Sequence, residues 1–188
     1  MKKLLIVSLL ALSACFSAQA QRTAKGTNLA SVDAIYTFSS VGADVAFGIY
    51  TLDGYFLAGL NAARRYTTAS GLGDTKYDVP YWHLVAEGAY LWRLFGTRRR
   101  TFTVNAGAGA FLGFETIDPF ESVVDASDGG RLSKRGSAFL YGLQARLQCE
   151  VFAFRNIALV PGLRVPVNFN SRVDYFPYEV SLGLRYNF

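Results

Sequence analysis

From Ser31 onward the chain alternates apolar and polar positions with a period of two, and Gly, Asp and Asn gather where the alternation stops. The clearest stretch is the last. Tyr178, Val180, Leu182, Leu184, Tyr186 and Phe188 point one way, and Glu179, Ser181, Gly183, Arg185 and Asn187 point the other. The same pattern sets Trp82, Leu84, Ala86, Gly88, Tyr90, Trp92 and Leu94 against Tyr81, His83, Val85, Glu87, Ala89, Leu91 and Arg93. It recurs over 101–115, 139–151 and 159–168, and more weakly over about 29–38, 43–52 and 55–67. Eight strands are therefore expected, and no segment after Gln21 reads as a helix. Pro161 and Pro166 lack a ladder donor, so a bulge or a gap in pairing is expected there.

Two details favour lipid over water on the apolar faces. Aromatics stand at the ends of those faces and small or aliphatic residues in the middle, with Trp82, Trp92, Tyr178, Tyr186 and Phe188 as the expected girdle. Trp82 and Trp92 are ten residues apart, a rise of about 33 Å that becomes roughly 25 Å of height on a tilted strand, the spacing of two girdles. The segments are also longer than the usual strand of about 5–6 residues. The connections supply a further check, because short turns and longer loops alternate in such barrels. Asp53-Gly54, 95–100 and 153–156 are short, whereas about 68–80, 116–136 and 169–177 are longer; only 39–42 is short where a long one is expected. The predicted fold is an all-β, eight-stranded, antiparallel, up-and-down transmembrane barrel in the outer membrane of a Gram-negative bacterium. The termini and short turns are expected in the periplasm.

The N-terminus changes the picture only by removing itself. Met1-Lys2-Lys3, an apolar run from Leu4 to Leu12 and Ala18-Gln19-Ala20 read as a secretory signal peptide over 1–20. A periplasmic segment is then expected over 21–28 and the barrel over 29–188. Leu12-Ser13-Ala14-Cys15 is a rival exit of the lipobox type, in which Cys15 is lipidated. Loss of Cys15 leaves Cys149 alone, so no intramolecular disulfide forms. The formal charge of +5 comes largely from Arg64-Arg65 and Arg98-Arg99-Arg100, read as solvated basic strand ends. No nucleic-acid site is identified.

If the apolar faces meet lipid, the opposite faces fill the lumen. They offer Glu87, Glu115, Glu150 and Glu179 against Arg93, Arg146, Arg164 and Arg185. An eight-stranded barrel encloses room for little besides side chains, and charges withdrawn from water must pair, so a plug of salt bridges is expected. His83, the one histidine, shares a face with Glu87, but no Gly-x-Ser-x-Gly elbow or His/Cys metal cluster accompanies it. The glycines at 71, 73, 107 and 109 precede no helix and form no phosphate cradle. Asp125 and Asp128 do not match an EF-hand. The chain is expected to be non-enzymatic, without cofactor or metal, with 116–136 as its largest exposed loop.

Several residues together resemble the TraO family of conjugative-transposon proteins. They are Glu87-Gly88-Ala89-Tyr90, Glu115-Thr116-Ile117 after a Gly-rich strand, Leu132-Ser133 before Gly136 and Phe139-Leu140-Tyr141-Gly142, then Ala145-Arg146-Leu147, Glu150, Arg155 and the final Gly183-Leu184-Arg185-Tyr186-Asn187-Phe188. The last motif is shared in style by many outer-membrane barrels. The resemblance implies an outer-membrane element of a conjugation apparatus, with no catalytic residues, and with outer-membrane lipids and other transfer proteins as partners. The C-terminal aromatic strand implies recognition of Phe188 by the machinery that assembles such barrels. The alternative is a general surface barrel of the OmpA or OmpX type, used in adhesion or envelope stability.

Overall fold

Eight strands of alternating pattern wrap into one closed barrel. A computed structural model describes residues 25–37, 40–70, 76–96, 101–117, 137–171 and 177–188. The strands are β1 (Asn28–Thr37), β2 (Ser40–Tyr50), β3 (Gly54–Ser70), β4 (Lys76–Gly96), β5 (Phe102–Ile117), β6 (Ala138–Phe152), β7 (Ile157–Asn168) and β8 (Glu179–Asn187). Each pairs antiparallel with the next, and β1 pairs with β8 to close the ring. Among the described residues there is no helix. The expected signal peptide, the start of the N-terminal segment, the Arg98–Arg100 turn and the long loop from Asp118 to Gly136 lie outside the described residues.

The register shows why the sheet closes. Tyr50, which donates its N–H to the Thr27 carbonyl, pairs with Tyr55; stepping on through Leu91, Gly107, Arg146 and Arg164 leads to Glu179. Glu179 stands next to Val180, whose partner is Tyr36, so the path regains β1 about ten residues from its start. That stagger is the tilt a small barrel needs. The seam runs from Leu29–Asn187 to Tyr36–Val180, and Asn28 and Phe188 exchange two backbone hydrogen bonds of 3.0 Å at its end.

Three local departures have physical causes. β3 and β4 stay paired out to Ser70 and Lys76, so the connection expected over 68–80 is shorter than that. β2 leaves β3 at Arg65 and β5 leaves β4 at Tyr81; beyond those points the hairpin's two strands need only each other. Pro161 lies where the β6–β7 ladder skips from Gln148–Gly162 to Val151–Leu159, with the register unchanged on either side. A register irregularity between Arg93 and Phe95 leaves both Leu94 and Phe95 facing outward near the turn end.

The two faces differ sharply. Outward, Val32, Val45, Leu60, Leu143, Leu163, Val180 and Leu182 form an apolar belt. Aromatics bound it on both sides. Near the short turns Phe56, Tyr90 and Trp92 pack in a row at 4.5 and 4.8 Å, and Tyr186 stacks on Phe188 at 6.1 Å. Near the loops, Phe114, Phe139, Tyr141 and Phe169 form a chain, and Trp82 and Tyr178 also face out. Such an exposed surface is stable only in lipid. Inward, small residues alternate with large ones: a Cβ on Gly142 would stand 2.6 Å from the Phe111 ring.

Candidate functional site

The lumen is the candidate site, and register decides which charges meet there. Arg146 on β6 and Arg164 on β7 are direct ladder partners, as are Arg164 and Glu179 on β8. Two arginines side by side repel, so carboxylates from the opposite wall must interleave with them. Glu87 of β4 and Asp44 of β2 do this. Glu87 ion-pairs with Arg146 and accepts from Arg164 Nη1 at 2.5 Å, while Asp44 Oδ2 lies 3.3 Å from Arg146 Nη2 and 3.8 Å from Arg164 Nη1. Glu179 accepts from Arg164 Nε at 2.5 Å and also ion-pairs with Arg65 of β3. All of these residues are buried.

A second cluster closes the turn end. Arg185 is wholly buried, ion-pairs with Glu150 and donates to Gln148 Oε1 at 3.0 Å. Its guanidinium lies 4.6 Å above the Tyr55 ring centroid. Tyr50 OH and Thr103 Oγ1 donate to Glu150 at 3.2 and 2.9 Å, and Tyr55 OH donates to Gln148 at 2.8 Å. Leu29, Ala46, Leu57, Ala89 and Leu91 pack around this cluster. Val85, Phe111 and Leu140 form an apolar group nearer the loops.

Of the lumenal charges expected from sequence, Glu87, Arg146, Glu150, Arg164, Glu179 and Arg185 stand in these ion pairs. Arg93 and Glu115 stand apart from them. Arg93 is half-buried beside the irregularity at the turn end, and Glu115 accepts from Ser171 Oγ at 2.8 Å near the loops. His83 is buried, faces Glu115 across the β4–β5 ladder, and has no hydrogen-bond partner at either ring nitrogen. Among the described residues no group of three or more His, Cys, Asp or Glu could hold a metal.

Two members of the network were not expected from sequence. Asp44 follows from the alternation of β2, where Val41, Ala43, Val45, Phe47 and Ile49 face out, but β2 begins at Ser40 rather than near residue 43. Arg65 corrects the reading of Arg64-Arg65 as a solvated strand end: it is 3% exposed and held by Glu179. It lies on the same face as Asn61 and Ala63, while Arg64 turns outward over the Tyr66 ring. Parity along β3 carried that signal.

The site stands beside known proteins as follows. Neisserial surface protein A superposes with a TM-score of 0.54 at 18% identity, over 86% of this chain and 96% of its own. A major outer membrane protein from Thermus thermophilus does so with 0.63 at 14% identity, over 88% and 100%. At these identities the likeness is one of fold, a closed outer-membrane barrel. No curated protein matches the chain. Residues 45–188 match the family model described as conjugative transposon protein TraO. With its lipid-facing belt, closed ring and matched sequence, the chain belongs to the TraO family of conjugative-transposon proteins and is an eight-stranded barrel of the outer membrane.

Proposed function

We propose that this barrel is a non-catalytic part of the conjugation apparatus of a mobile element, and that it presents loops and periplasmic turns to other transfer proteins. The observation that carries the reading is the lumen, filled across its width by the Glu87–Arg146–Arg164–Glu179 network. An interior with room only for interlocked side chains passes neither DNA nor protein, which leaves the two rims as the surfaces that act. The short turns after β2 and β6, the facing ends of β4 and β5 at Gly96 and Phe102, and Asn28 and Phe188 lie at one rim, assigned to the periplasm.

In-frame deletion of the gene from its mobile element is expected to abolish conjugative transfer without affecting growth, and supply of the gene in trans to restore it. Mating frequency is the readout. Unchanged transfer, with altered adhesion or detergent sensitivity, would move the assignment to a general surface barrel.

Assembly is proposed to depend on Phe188. It completes the seam with Asn28 and stacks on Tyr186 in the turn-end girdle. Deleting it is expected to lower the heat-modifiable, folded fraction in outer membranes, while Phe188→Trp retains folding. Refolding into lipid vesicles separates the causes. A truncated chain that folds there but not in cells has lost recognition by assembly machinery; one that fails in both has lost its seam.

A further inference from the structure

The β3–β4 hairpin outruns its neighbours by five residue pairs, from Tyr66–Pro80 to Ser70–Lys76, a length of about 17 Å. Among the described residues, β2 leaves β3 after Ser40–Arg65 and β5 leaves β4 after Tyr81–Ile117. Two backbone bonds at the turn fix which way each peptide group points. Thr51 donates its N–H to the Gly54 carbonyl, and Arg93 donates to the Asp53 carbonyl. Direction alternates along an antiparallel ladder, so even-numbered residues of β3 bond toward β2 and odd-numbered ones toward β4. No register shift interrupts either ladder. In the projecting part, Thr67 and Ala69 therefore bond to β4. Thr68 and Ser70 turn their N–H and C=O groups to the side that β2 has vacated.

The two long edges of this hairpin differ. On β4 the even-numbered residues face the position of β5, and the first of them beyond Trp82 is Pro80, which has no N–H. The same strand continues through Asp78 and Lys76. Proline and charge are the usual means by which an open strand edge is kept from pairing. The projecting part of β3 carries neither: it reads Tyr-Thr-Thr-Ala-Ser over 66–70, uncharged and rich in strand-forming residues. Thr37 and Ser40 are themselves paired, with two residues between them. A connection of that length cannot follow β3 up to Thr68 and return.

We propose that the open edge of β3 at Thr68 and Ser70 receives an extended segment of a partner protein, added antiparallel to β3 as a continuation of β2. The segment meets the sheet where β2 stops and takes up the register of the Ser40–Arg65 pair. An uncharged edge selects an uncharged strand. A second copy of the barrel does not fit. A two-fold axis along the membrane normal sets its β3 parallel to this one, with identical donors opposed, and its β4 edge is blocked at Pro80. The proposal stands on this backbone edge and not on the role in transfer.

Amide exchange of the full mature barrel in lipid nanodiscs tests the edge. Thr68 and Ser70 should exchange at least about tenfold faster than Thr67 and Ala69. Equal protection means that the chain covers its own edge, and overturns the proposal. The partner is tested in mating cells that carry the complete mobile element, with a photo-crosslinking phenylalanine analogue in place of the exposed Tyr66. The expected adduct joins the barrel to a different protein. It should vanish in Thr68→Pro, which removes an open-side N–H and leaves the β4 ladder whole, and persist in Asp78→Pro on the opposite edge. No adduct, an adduct between two barrels, one that survives Thr68→Pro, or one lost equally in Asp78→Pro overturns the proposal. A Thr68→Pro barrel without the heat-modifiable native form also overturns it, because that N–H is then bonded within the chain.

Discussion

Replacing Arg185 with methionine should destabilise the barrel by about 3–5 kcal/mol, the cost of leaving a buried charge without its partner. Arg185 is wholly buried, and the one guanidinium paired with Glu150 among the described residues is its own. Tyr50 and Thr103 still donate to Glu150 when it is gone, but neither brings a charge. The double variant Arg185→Met/Glu150→Gln removes both charges and should recover most of the loss, since an apolar and amide replacement of a buried pair is often close to neutral. Arg164→Ala is expected to be milder. Glu179 keeps Arg65 and Glu87 keeps Arg146, so no carboxylate is stranded. Urea unfolding in lipid vesicles, followed by tryptophan fluorescence and heat-modifiable migration, orders the three variants. An Arg185→Met barrel as stable as the parent would show that Glu150 is hydrated, and the turn-end cluster would lose its assigned role.

Leu60→Arg should cost about 2–4 kcal/mol, whereas Leu94→Arg should cost no more than about 1 kcal/mol. Both leucines face outward, at 61% and 64% exposure, so a soluble-sheet account predicts little effect for either. Their heights differ. Leu60 pairs with Ala86, which lies between Trp82 and Trp92 on β4 and therefore near the bilayer midplane. Leu94 lies beyond Trp92, past the turn-end girdle. Arginine at the first position has to bring its charge into hydrocarbon; at the second it reaches the headgroups. The same vesicle unfolding measures both, and equal costs would contradict the placement of the belt.

How much of this is legible in the sequence varies by element. The final strand, Tyr178 to Phe188, reads directly because its parity is unbroken and its outward face ends in aromatics. β2 reads less well, since glycine and alanine at 42, 43, 46 and 48 blur the contrast between faces, and it starts about three residues before the pattern becomes clear. The projecting part of the β3–β4 hairpin reads as loop because composition does not reveal that two strands can continue pairing after their outer neighbours leave.

The lumen divides in the same way. That Glu87, Arg146, Glu150, Arg164, Glu179 and Arg185 face inward follows from parity, a property of neighbours along the chain. Which of them touch does not. Arg146 meets Asp44 and Glu87 from residues 102 and 59 positions away, and Arg65 meets Glu179 across 114. Those meetings depend on the stagger of the closed sheet, which sums over all eight ladders and has no local signature. Alternation alone therefore determined the strands, their lipid and lumen faces and the girdles. Closure of the ring alone decided that Arg65 meets Glu179 and that Arg93 and Glu115 stand apart from the ion pairs. The physical reason is range: side-chain direction is set between adjacent residues, whereas ion pairing across a barrel is set by the register of every strand between the partners.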